Sequence, residues 1–92
     1  MIWKYELKTT DVQEISMPVG AQLLCVQLQW CMPCLWALVD VNAPKEKREI
    51  RIYGTGNPLP LEPGWYVGTY QSLDGCLIWH VFDFGSEISG DR

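Results

Sequence analysis

The sequence predicts an all-β fold, a small antiparallel sandwich or open barrel of about six to seven strands. Apolar residues recur with period two in segment after segment, which is the spacing of strands and not of helices. Clusters of Gly, Pro and Asp punctuate those segments at short intervals. The stretch from Cys34 to Tyr53 joins an apolar run to an alternating one through a charged turn. Ninety-two residues make one domain. It is expected to span 1–84, with 85–92 a flexible tail.

Residues 2–8 set Trp3, Tyr5 and Leu7 against Lys4, Glu6 and Lys8, a half-buried strand. After a turn at Thr9 to Asp11, residues 12–17 form a second strand with Ile15 and Met17 inward. Pro18, without an amide hydrogen, and Gly20, free to take positive φ, end it. Strict alternation over 21–30 groups Leu24, Val26, Leu28 and Trp30 on one face. Ala21, Leu23, Cys25, Gln27 and Gln29 lie on the other, and Cys31-Met32-Pro33 reads as the next turn. Residues 34–41 are apolar on both faces, the pattern of a strand covered on both sides. Asn42 to Lys47 is polar enough to be a turn. Ile50 and Ile52 then alternate with Glu49, Arg51 and Tyr53, so 34–53 is expected to be a hairpin. Three glycines and three prolines between Gly54 and Gly64 exclude regular structure there. Trp65 to Gln71 and Cys76 to Phe84 are the last strands, joined by a Ser72-Leu73-Asp74-Gly75 turn. Trp3, Trp36 and Trp79 fall in dense apolar context, whereas Trp30 and Trp65 sit at strand ends and read as surface or interface residues.

Composition narrows the function classes. Seven Lys and Arg against eleven Asp and Glu give a net charge of -4. Such a chain lacks the basic surface that attracts duplex nucleic acid, so no duplex partner is expected. No apolar run is long enough for a transmembrane helix, and the N-terminus does not read as a signal peptide. The expected setting is the cytoplasm, with no membrane partner and with the four cysteines reduced. A short chain with 12% aromatic residues carries more apolar surface than one small sandwich hides, so a homo-oligomer is expected.

Candidate chemistry is sparse. Cys31-x-x-Cys34 with Cys76 and His80 offers four potential zinc ligands. Cys76 and His80 stand about 13 Å apart along one strand, however, so no metal site is expected. No cofactor is expected either. His80 is the only histidine and lies on a strand face with Ile78, Phe82 and Phe84. No acid at a recognisable spacing orients it as a base, so no catalytic residue is assigned. The best binding candidate is Arg48, Arg51, Tyr53, Gly54, Thr55, Gly56 and Asn57. Glycines at a strand end let backbone approach a ligand, and a guanidinium beside an aromatic ring suits a phosphate carried by a stacking base. The same stretch also reads as a turn exposing a solvated strand face.

The segments Tyr5-Glu6-Leu7, Thr10 to Gln13, Met17 to Ala21, Cys34 to Asp40, Arg51 to Gly56 and His80-Val81-Phe82 resemble a family of short proteins from tailed phages and prophages that have no assigned activity. The most specific matches are Cys-Leu-Trp-Ala-Leu-Val-Asp and Arg-Ile-Tyr-Gly-Thr-Gly. The resemblance implies work inside an infected host's cytoplasm and supplies no catalytic residues. By analogy with small phage β-proteins, the expected function is sequestration of an anionic, nucleotide-derived molecule such as a host immune signal. The alternative is a structural or interaction protein that binds a host or virion protein and no small ligand.

Overall fold

A computed structural model describes residues 1–72 and 75–86. Seven strands form two antiparallel sheets. They are β1 (Ile2–Glu6), β2 (Val12–Pro18), β3 (Gln22–Gln29), β4 (Met32–Leu38), β5 (Lys45–Gly54), β6 (Trp65–Ser72) and β7 (Leu77–Ser86). One sheet has the order β1-β4-β3, the other β2-β5-β7-β6. Their inner faces meet in one core of Leu7, Met17, Ala21, Val26, Leu35, Ala37, Val39, Ile50, Ile52, Tyr70 and Val81. The fold is therefore a sandwich with free sheet edges, not a closed barrel. Among the described residues no helix is long and apolar enough to cross a membrane.

The expected 34–53 hairpin is a strand, a turn and a strand, but its arms do not pair. β4 joins β1 and β3, while β5 joins β2 and β7. The connection crosses from one sheet to the other. Val39 donates its amide to Met1 and Pro44 accepts from Val19, so each end is tied to its own sheet. Leu35, Ala37 and Val39 then face Ile50 and Ile52 across the core, which satisfies the same alternation that a hairpin would. Nor is β4 covered on both faces. Trp36 is half-buried and Leu38 exposed on its outer side. Cys34 is buried on that side, where Lys4 Nζ also reaches across β4 to Gln29 Oε1 at 2.6 Å.

Three bulges displace the simple alternation. Leu24 is the extra residue between the Leu23–Ala37 and Cys25–Trp36 pairs. Leu23 and Val26 consequently share the inner face, and Leu24 turns to solvent. Val67 is the extra residue of β6 and Phe84 that of β7. The turn before β4 is also displaced. Gln29 pairs with Met32, and the tip is Trp30-Cys31, both at positive φ (54° and 66°), as in a type I′ turn. Met32 and Pro33 already belong to β4. β7 runs through Ser86, two residues beyond the expected domain end, while Leu73, Asp74 and the remainder of the expected tail lie outside the described residues.

Candidate functional site

β7 lies between β5 and β6, and both neighbours run antiparallel to it. β5 ends opposite Trp79, whereas β6 begins opposite Asp83. The chain between Gly54 and Trp65 must therefore travel back along β7. This is why the sequence leaves that segment rich in Pro and Gly and free of strand pattern. Its start is pinned by Thr55, whose amide donates to Ile78 O at 3.1 Å, and by a turn in which Asn57 donates to Gly54 O. Gly56 takes φ 91° in that turn. Its end is pinned at Gly64, where a Cβ would stand 2.7 Å from Asp83 O and 2.9 Å from the Phe84 ring.

Between this crossover and the outer face of the sheet is a cleft of about 300 Å³, the lower end of the roughly 300–1,000 Å³ usual for small-molecule sites. Tyr53, Gly54, Thr55, Gly56, Asn57, Leu59, Tyr66, His80 and Phe82 line it. Phe82 stands edge-on to both Tyr53 (5.7 Å between centroids) and Tyr66 (5.6 Å). Such pairs hold their rings in fixed relative orientation. His80 Nε2 lies 2.8 Å from Thr55 Oγ1 and Nδ1 3.1 Å from Thr69 Oγ1, while Tyr66 Oη lies 2.5 Å from Thr69 Oγ1. One direction of donation satisfies the whole chain with a neutral imidazole. Tyr66 donates to Thr69, Thr69 to Nδ1, Nε2–H to Thr55, and Thr55 to Ile78 O at 3.4 Å.

Five of the seven expected binding residues meet in this cleft: Tyr53, Gly54, Thr55, Gly56 and Asn57. Arg51 does not. It lines a neighbouring depression with Asp11, Val12, Tyr53, Asn57 and Pro58. Its Nε donates to Glu49 Oε2, and its guanidinium stacks 4.1 Å from the Phe84 ring centroid. The bond to Glu49 is the main reason its pKa is raised, with a smaller contribution from Tyr53. Arg48 lies on the opposite side of the sheet, 4% exposed, and cannot reach the cleft. It has the same parity as Ile50 and Ile52, so β5 carries it into the space between the sheets. There it donates to Asp83 and to Ala21 O.

Sequence reasoning missed Tyr66, His80, Phe82 and Leu59 as members of the site. Alternation alone puts Tyr66 and Thr69 on opposite faces, and only the Val67 bulge brings both outward. The free cysteines are scattered: Cys31 at a hairpin tip, Cys34 buried in β4, Cys25 half-buried in β3, Cys76 exposed before β7. Among the described residues no group of three or more His, Cys, Asp or Glu is placed to hold a metal ion.

No curated protein and no solved structure matches the chain. One family model does, over residues 1–89, and the chain belongs to that family, a domain of unknown function (DUF7352).

Proposed function

We propose that the protein is a non-catalytic binder of a small ring-bearing molecule of the nucleoside or nucleotide class, held in the cleft between the crossover and β5-β7-β6. The supporting observation is the lining itself. Tyr53, Tyr66 and Phe82 offer aromatic surface, and the Thr55 and Tyr66 hydroxyl oxygens keep an accepting lone pair for a polar ring edge. Among the described residues no carboxylate, Lys or Arg lines the cleft. A bound phosphate would have to lie outside it, towards solvent or Arg51, where Glu49 and Asp11 oppose an anion. Recognition would therefore fall on the ring. Holding such a ligand without converting it is the behaviour of a sequestering protein, and a phage protein that withholds a host nucleotide signal would act in this way.

Calorimetry against a panel of nucleosides, their phosphates and cyclic nucleotides tests the reading. Nucleosides should bind as well as their phosphates, and Tyr66→Ala should weaken binding roughly tenfold or more, the worth of one stacked ring. Tyr66 is 61% exposed, so the fold should survive that change. Arg51→Ala should alter affinity less than about twofold, since its guanidinium is already engaged by Glu49. The reading fails if no member of the panel binds, or if Tyr66→Ala binds as tightly as the parent.

A further inference from the structure

From the β3–β4 tip we infer a second occupant for the cleft: Trp30 of another copy of this chain, seated head-to-tail. Trp30 is 93% exposed, so its indole packs on almost nothing of its own molecule. Leu28 and Met32 flank it at 42% exposure each, and Cys31 beside it is exposed as well. Leu28 pairs with Pro33 and Met32 with Gln29, so they lie on opposite faces of the hairpin, and the end of the prong is apolar on both sides of Trp30, as at a contact site. Both tip residues hold positive φ without being glycine. Asn-Gly would make the same turn without that strain, so the tip retains an indole where turn chemistry does not ask for one.

The same chain supplies the matching receptor. The cleft is aromatic, about 300 Å³ in volume, and bears uncharged acceptors for an indole N–H. Among the described residues no Asp, Glu, Lys or Arg belongs to the tip or to the cleft lining, so seating the prong buries no carboxylate, ammonium or guanidinium. The prong belongs to the three-stranded sheet, whereas the cleft opens on the outer face of the four-stranded one. One copy's prong is therefore presented to another copy's cleft. The contact is heterologous, and repeated copies make a ring or an open chain. Small ligand and neighbouring indole compete for one site, so ligand binding and assembly exclude each other. The self-association does not depend on the small-ligand reading.

Sedimentation velocity of the full chain from low to high micromolar concentration tests it. The parent should gain mass with concentration. Trp30→Ser, which keeps a cleft and loses the prong, should associate at least about thirtyfold more weakly. Tyr66→Ser, which keeps the prong and loses the cleft, should do the same, with Leu59→Asp as a second cleft variant should Tyr66→Ser lose its circular dichroism signature. Mixing Trp30→Ser with a folded cleft variant should yield a dimer that grows no further. A parent that stays monomeric, association that survives Trp30→Ser, or variants that fail to complement each other would overturn the proposal. So would a monomeric parent that floats with phosphatidylcholine vesicles through Trp30, which would make the tip a membrane contact. Nucleoside titration of Trp30→Ser, whose cleft is free, separately decides whether the small-ligand reading stands.

Discussion

Arg48 Nη1 donates to Asp83 Oδ2 at 2.8 Å between the two sheets, tying β5 to its neighbour β7 from the inside. Glu46 stands 3.8 Å from the same guanidinium, and Ala21 O accepts from its other terminal nitrogen at 3.0 Å. Both side chains of the pair are about 95% or more buried. Removing Arg48 withdraws the counter-charge from two buried carboxylates, Asp83 and Glu46. Arg48→Met is expected to destabilise the fold by about 3–5 kcal/mol, and adding Asp83→Leu to recover part of the loss. Urea unfolding of both variants checks this; equal stability of Arg48→Met and the parent would show that the pair is solvated.

The hairpin tip predicts a gain instead of a loss. Cys31 holds φ 66° with a Cβ that crowds its own backbone in that region. Cys31→Gly should relieve that strain, about 1–2 kcal/mol, and with part of it taken back by glycine's freedom in the unfolded chain a net gain of about 0.5–1 kcal/mol should remain. A melting temperature unchanged or lowered by the substitution would mean that the left-handed turn carries little strain.

The period-two pattern makes most strands legible in the sequence, because Tyr5, Ile15, Ile50 and Ile52 each alternate with polar neighbours. Partnership is not legible. The faces of β4 and β5 satisfy a hairpin and a sheet-to-sheet crossing equally, and what distinguishes them is pairing with strands distant in sequence, together with the ties at Val39 and Pro44. The glycine-bounded half of the site, Tyr53 to Asn57, shows itself through local turn chemistry. Its other half comes from β6 and β7, and the Val67 bulge that aligns Tyr66 with His80 leaves no local signal beyond Gly68. Arg48 misleads for the opposite reason: a charged side chain reads as surface until a buried Asp83 is known to meet it.

At Gly68 the β6 backbone packs closely against Val26 of β3 in the other sheet. A Cβ there would stand 3.1 Å from Val26 N and 3.2 Å from Val26 Cβ. Val26 is 5% exposed and has little room to yield. Gly68→Ala is expected to cost about 1–3 kcal/mol, measured by chemical denaturation. Gly64→Ala should act on the site as well, since φ 93° and the 2.7 Å approach to Asp83 O leave no space for a methyl group. It should loosen the crossover and weaken ligand binding, whereas Gly56→Ala, with nothing within 4 Å, meets only the strain of its φ.

Alkaline stability follows from Tyr70. It is 4% exposed, and its Oη lies 2.7 Å from Thr9 Oγ1. Burial raises its pKa above the ordinary 10.0, and the hydrogen bond to Thr9 only partly offsets that. Burial pushes Tyr5 the same way. In the unfolded chain these phenols ionise near their ordinary value, while the folded chain keeps their protons. The folded state then binds more protons than the unfolded one, so stability falls as pH rises. The contribution is intact below the ordinary value and is lost as pH climbs from there through the folded-state pKa. Urea midpoints should therefore hold up to about pH 9 and decline above about pH 10. Tyr70→Phe should lower stability at neutral pH through loss of the Thr9 bond, by about 0.5–1.5 kcal/mol, yet decline less steeply in alkali. Parallel slopes for parent and Tyr70→Phe above about pH 10 would assign the alkaline loss to other groups.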